Sequence, residues 1–181
     1  MNCSHIFHIG LNKAGTTSLS AAVERLGIKS VHNWHAQASF DKYLEKCQSP
    51  IAELPYHAWF DVRAFERSYP VLDWLYPYAK FIFTTRNKSA WLQSRERHVL
   101  RNIELKAAGT PRSNWLTIDY DAWSREYDFK HNFATKYFAG RMNKLLIINI
   151  TAGDGYDVLC PFLGLPTLAE EFPRLNVSCH S

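Results

Sequence analysis

Cysteine is scarce in this sequence: four in 181 residues, at Cys3, Cys47, Cys160 and Cys179, with no Cys-x-x-Cys pair and no histidines at zinc-like intervals. Those wide spacings argue against a disulfide framework or a zinc ribbon and leave buried or incidental free thiols. Long apolar runs are missing too. The longest, such as Leu145 to Ile150, fall far short of the roughly 20 residues that a membrane span requires. Met1 to Ile9 has no basic stretch followed by an apolar one, so the sequence predicts no signal peptide and no anchor, and a cytoplasmic protein. Nor is there an excess of one charge: 21 Lys and Arg against 17 Asp and Glu leave +4, mixed along the chain. That balance suits an anionic ligand but is too small and dispersed to indicate nucleic acid. Acidic or basic tails, repeats and low-complexity tracts are absent. Asn-x-Ser/Thr triplets occur at Asn87 and Asn176, patterns short enough to arise by chance.

What is present is material for a core. Hydrophobic residues make up 46% of the chain and aromatics 14%, enough for one domain over residues 1–181. Apolar runs alternate with helical patterns. His5 to Ile9 predicts a strand, followed by a Gly-containing loop and a helix from Thr17 to Leu26, with Gly27 to stop it. Lys29 to Trp34 and His57 to Phe60 predict two more strands, with a polar helix from Ala36 to Cys47 between them. Lys80 to Thr85 is the clearest buried strand; a helix from about Ser89 follows, with Trp91, Leu92, Arg95 and Val99 on one face. One or two aromatic-rich helices are expected over Trp115 to Tyr137, then a last strand at Leu145 to Ile150 and a short helix from Tyr156 to Leu163. Continuous apolar strands alternating with helices predict an α/β fold, a central parallel sheet of about five strands covered on both faces. In such sheets ligands bind at the carboxyl ends of the strands. The Gly10 to Thr17 loop, His32 and His35, Asp61 and Arg86 all fall there.

Gly10-Leu11-Asn12-Lys13-Ala14-Gly15-Thr16-Thr17 has the glycine spacing and final hydroxyl of a P-loop, with Thr16 where the lysine ordinarily stands and Lys13 inside the loop. The bland alternative is a packing turn between strand and helix. As a ligand site, such a loop wraps a phosphate or sulfate with inward backbone N–H groups and the positive end of the next helix. The pattern predicts a three-layer, P-loop NTPase-like fold. A nucleoside triphosphate enzyme would also need Mg²⁺, held by the loop hydroxyl and a carboxylate at a strand end. Asp61 could supply that carboxylate, so a small-molecule or nucleotide kinase is one alternative. Against it, the clearest strand ends in Thr84-Thr85-Arg86, and an arginine clamps phosphate but cannot hold a metal.

FHIGLNKAGTTSL resembles the 5′-phosphosulfate-binding loop of sulfotransferases that use 3′-phosphoadenosine 5′-phosphosulfate (PAPS). FIFTTRNKSAWLQS resembles the same family's 3′-phosphate-binding segment, in which an arginine ends a buried strand and a serine follows eight residues later, as Arg86 and Ser94 do. LLIINITAGDGYDVLCPFLGLP is similar to the family's late strand and helix. The resemblance implies sulfuryl transfer from PAPS, without a metal, to a hydroxyl or amine of a small-molecule or glycan acceptor that the sequence does not identify. It implies that Asn12, Lys13, Ala14, Gly15, Thr16, Thr17 and Ser18 bind the 5′ end, that Arg86 and Ser94 bind the 3′-phosphate, and that Lys13 stabilises the leaving group. For the general base, which the family places on a His or Glu at a strand end, the candidates are Asp61, His32 and His35; Arg63 is a candidate for an acidic acceptor. The family's Gly-rich, Lys-containing lid has no clear counterpart, and Arg112 to Lys136 is the segment left to fill that role. Trp91 and Trp115 could stack on adenine or belong to the core. A non-catalytic nucleotide-binding protein is the other alternative.

Overall fold

Ser4–His8 and Lys80–Thr84, which bury Ile6, Phe7, Phe81, Ile82 and Phe83, form two adjacent interior strands, because such side chains fill both faces of a pleated surface. The computed structural model of the chain describes residues 4–32, 56–60, 69–112 and 114–175. In it these runs are β1 and β4 of a five-stranded sheet that also contains β2 (Lys29–His32), β3 (Tyr56–Phe60) and β5 (Leu145–Ile148). The order is β2-β3-β1-β4-β5 and every neighbouring pair is parallel. The chain runs from β1 to one side, returns, and crosses to the other, so the loop after β1 sits where the strand order reverses.

Alternation along the strands sorts the core into two layers. Phe7, Phe81 and Phe83 join Tyr69, Leu72, Trp91, Val99, Trp123 and Ala134 on one face, under α2 (Tyr69–Leu75), α3 (Lys88–Ala107) and α4 (Tyr120–Tyr137). Ile6, Ile82 and Ile148 meet Leu19, Val23, Leu159 and Leu163 on the other, under α1 (Thr16–Arg25) and α5 (Tyr156–Leu163). Fully burying each such side chain stabilises the fold by about 1.5–3 kcal/mol.

Where local elements differ from the sequence reading, a polar side chain is the cause. Asn149 accepts from the Ala152 N–H at 3.1 Å and turns the end of the last apolar run into a 3₁₀ turn, Ile150–Ala152. Asp119 caps α4 by accepting from the Ala122 N–H at 2.8 Å, which leaves Trp115 before the helix, in the left-handed region at φ 57. Asn87 caps α3 through the Ala90 N–H, giving the Asn87-Lys88-Ser89 triplet a role at a helix start. The helix expected over Ala36 to Cys47 lies outside the described residues.

Asp73, buried on α2, closes the end of the sheet opposite the β1 loop. It accepts from the Tyr137 hydroxyl at 3.0 Å, lies 2.8 Å from the Lys144 ammonium and pairs with Arg141. Burial pushes its carboxyl up, but hydrogen bonds from Lys144, Arg141 and Tyr137 outweigh it and hold the pKa below the ordinary value. A carboxyl depressed in the folded state stabilises at pH above its unfolded pKa, and that contribution disappears as pH falls through the folded value. Asp73→Asn is therefore expected to cost about 2 kcal/mol at pH 7, discounted because Arg141 is partly solvated. The deficit should shrink below about pH 4, near the unfolded carboxyl pKa. Urea unfolding of both proteins at several pH values checks it.

Candidate anion-binding site

Gly10 is where β1 and β4 converge most tightly. A Cβ there would lie 2.1 Å from the Thr84 nitrogen and 2.6 Å from its oxygen, so only glycine fits. Beyond it the chain stays on β4 through the Leu11 N–H, which donates to the Thr84 carbonyl at 2.9 Å, and then curls. Two residues of the curl have positive φ, Lys13 at 57 and Gly15 at 90. Gly15 is the N-cap of α1 and offers no side-chain acceptor to the first-turn N–H groups; the first helical bond runs from the Leu19 N–H to the Gly15 carbonyl. A helix start left open in this way is suited to an anion. Gly15 also packs on the 3₁₀ turn, with Ile150 3.1 Å from where its Cβ would be.

Arg86, just past β4, faces the same loop. Its Nη1 donates to the Lys13 carbonyl at 3.2 Å, while its buried Nε finds no hydrogen-bond acceptor among the described residues. Helix α4 holds the Arg86 backbone in place: the Tyr127 hydroxyl donates to the Arg86 carbonyl at 2.9 Å, and the neighbouring Thr85 hydroxyl lies 2.7 Å from His131 Nε2. His131 Nδ1–H donates to the Tyr127 carbonyl at 2.8 Å, so in the neutral ring Nε2 accepts from Thr85. Burial holds the His131 pKa below its ordinary value. Trp91, fully buried, donates its indole N–H to the Asn12 carbonyl at 2.7 Å; it is core, and its ring is not open for adenine to stack on. The Asn12 side-chain oxygen is buried without a donor among the described residues.

Positive charge accumulates around this loop. The Lys13 ammonium has its pKa lowered by burial and then by Arg101, Arg86 and Arg97. Burial and Arg97 lower that of Arg86. The half-buried His98 is pushed down by burial, Lys13, Arg101 and Arg112, which keeps the imidazole neutral at pH 7. Cations gathered in this way are what a bound anion requires.

The structure brings Asn12 to Ser18 and Arg86 together at the carboxyl end of the central strands. Ala14 is fully buried and can offer only its backbone. The Ser18 hydroxyl is occupied by the C-terminal segment, accepting from the Leu175 N–H at 2.9 Å. Ser94 sits on α3 beside the buried face formed by Trp91, Arg95, Val99 and Asn102. His32 ends β2, separated from β1 by β3; His35, Asp61 and Arg63 lie outside the described residues. Trp115 meets His98 edge-on at 5.1 Å and lies over the Arg95 guanidinium at 5.0 Å. Arg95 is further enclosed by Trp91 and Trp123 and paired with Glu126, which ties α3, α4 and the segment between them. The sequence reading passed over Arg97, His98 and Arg101. Their signal was the spacing from Ser94 of three, four and seven residues, which puts all four on one helical stripe.

Set against known proteins, the chain has no match among curated sequences. Residues 5–143 match a family model, that of a sulfotransferase domain.

Proposed function

The chain belongs to the sulfotransferase domain family, more than half of its length being matched, and from that premise we propose that it transfers a sulfuryl group from PAPS to a hydroxyl or amine acceptor. The observation that carries the donor assignment is the meeting of Arg86 with the Lys13 loop, two cationic groups on adjacent strand ends with buried polar atoms unused at both Arg86 and Asn12. Orphaned polar atoms beside a positive cluster fit a ligand with two separated anionic groups. The parallel sheet with this loop after its central strand supports a P-loop-type fold.

In this reading the loop from Asn12 to Ser18 holds the 5′ end through its N–H groups, with the hydroxyls of Thr16 and Thr17. Arg86 and Ser94 hold the 3′-phosphate. PAPS supplies a sulfur that the acceptor attacks, and the bridging oxygen departs with the bond's electron pair. In this scheme Lys13 stabilises that oxygen, the largest kind of contribution a fixed charge makes in catalysis. Asp61, His32 and His35 are the groups proposed for the acceptor's proton. The acceptor is a small molecule or a glycan, and no metal enters the scheme.

Calorimetric titration with adenosine 3′,5′-bisphosphate in EDTA tests the donor site, with ATP plus Mg²⁺ in parallel. Tight metal-free binding of the bisphosphate is expected. Arg86→Ala should weaken it by about 1.5–3 kcal/mol, roughly ten- to a hundred-fold, the contribution of a charge-assisted contact. Binding of Mg-ATP alone, or unchanged affinity in the folded variant, would overturn the assignment.

A further inference from the structure

Arg86 follows directly on the bond that ties the end of β4 to β5, from the Thr85 N–H to the Ile148 carbonyl at 2.9 Å. It precedes Asn87, the cap of α3, so it stands in the short link between sheet and helix. Both residues of that link are gripped from α4. The Arg86 carbonyl accepts from the Tyr127 hydroxyl at 2.9 Å, and the Thr85 hydroxyl donates to His131 Nε2 at 2.7 Å. Tyr127 and His131 lie four apart and therefore share one helix face. Their rings stack at 4.1 Å and 29°, His131 meets Phe83 of β4 edge-on at 4.7 Å, and Tyr127 meets Trp91 at 5.5 Å. Trp91 is the residue whose indole N–H holds the Asn12 carbonyl. One aromatic cluster thus holds both halves of the anion site, the loop through Asn12 and the arginine through its own carbonyl.

The Arg86 guanidinium is itself fixed by a single long contact, Nη1 to the Lys13 carbonyl at 3.2 Å, with Nε left over among the described residues. Its direction therefore depends on where its backbone is set. A polar group in a binding site must be held within about 0.5 Å of the productive geometry. We propose that Tyr127 and His131 are positioning residues that aim Arg86 at one ligand group, the 3′-phosphate, and so give the site its preference for a 3′-phosphorylated adenosine nucleotide. They act through the backbone of Thr85 and Arg86, not by touching the nucleotide. The inference rests on the donor reading above.

Two nucleotides that differ only in the 3′-phosphate test it, adenosine 3′,5′-bisphosphate and adenosine 5′-phosphate, each titrated calorimetrically in EDTA into the full chain and its variants. Tyr127→Phe keeps the ring, with its neighbours Trp91 and His131, and removes only the hydroxyl. It is expected to weaken bisphosphate binding about five-fold or more, the loss of one hydrogen bond passed on to the site, while the 5′-phosphate changes less than about two-fold. In an Arg86→Ala background the same substitution should cost nothing further, because its effect runs through the missing guanidinium. His131 separates hydrogen bonding from packing. His131→Gln keeps an acceptor near the Nε2 position and should retain most of the bisphosphate affinity; His131→Phe keeps a ring without the acceptor and should lose it as Tyr127→Phe does. Unchanged bisphosphate affinity in Tyr127→Phe would overturn the proposal. So would an equal loss for both nucleotides, a loss additive with Arg86→Ala, or better binding by His131→Phe than by His131→Gln. Wild-type protein that binds the two nucleotides equally, or Arg86→Ala that leaves bisphosphate affinity intact, refutes the donor reading and this inference with it. Failure of the positioning role alone shows only in the Tyr127 and His131 variants.

Discussion

Lys13→Gly is expected to lower kcat/KM for sulfuryl transfer by about 10²–10³, the loss that follows removal of a preorganised group aimed at developing charge, and at the same time to raise the stability of the free protein. The two effects have one origin. Lys13 is held at φ 57, where a residue with a Cβ loses roughly 1–2 kcal/mol relative to glycine. Its ammonium is partly desolvated and faces Arg101, Arg86 and Arg97, so its pKa is lowered on folding. A basic group with a lowered pKa is one that the unfolded chain protonates more readily. Its contribution at neutral pH is therefore unfavourable, and the penalty fades as pH rises through the folded pKa toward the unfolded value. Lys13→Gly removes both backbone strain and charge crowding; Lys13→Ala removes only the crowding. Urea unfolding of the ligand-free proteins should rank them glycine above alanine above lysine, with activity lost in both variants. A lysine protein more stable than either, or full activity in the alanine variant, would remove Lys13 from the site.

The loop from Gly10 to Thr17 was legible because its pattern is local. Two glycines, an internal lysine and two threonines lie within eight residues, and Gly10 and Gly15 are required by a backbone approach and a left-handed turn that the spacing already implies. Arg86 was legible for the same reason, as the polar residue ending an apolar strand. What supports Arg86 was not. Tyr127 and His131 reach it from α4, some forty residues away, and no spacing within either segment announces that pairing. Trp91 was left open between adenine stacking and the core, and the core reading is the one that holds: its depth follows from α3 lying over Phe83, and the indole ends up holding the loop from below. The cationic stripe of α3 was overlooked because its members alternate with Glu96, Val99 and Leu100 in sequence and converge only on the helix. The groups proposed for the acceptor's proton, Asp61, His32 and His35, are represented among the described residues only by the backbone of His32.

Gly10→Ala is expected to be the most destabilising single substitution in the site, although it adds one methyl group. Gly10 has no positive φ, so the cause is space and not conformation: the new Cβ would contact the Thr84 nitrogen and oxygen and the Phe83 carbonyl carbon, all backbone. Side chains can swing away; two hydrogen-bonded strands must part. Parting them breaks the Leu11 N–H bond to the Thr84 carbonyl and the Thr84 hydroxyl bond to the Leu11 carbonyl at 3.1 Å. It also strains the buried contact in which His8 Nε2–H donates to the same hydroxyl at 2.7 Å. Loss of about 4 kcal/mol is expected, the range reached when packed backbone is displaced. In a chain of this size that lowers Tm by roughly 10 °C. Gly140→Ala is the matched control, since Gly140 has φ 75 but nothing within 4 Å of its missing Cβ, and conformation alone should cost about 1 kcal/mol there. Calorimetric melting of the two variants decides between them: equal losses would mean that β1 and β4 can separate freely at Gly10. Bisphosphate titration well below the Gly10→Ala melting temperature adds the functional half. Because Lys13 and Arg86 hang from the two strands that the methyl forces apart, affinity should fall even in the folded variant, whereas Gly140→Ala should keep it.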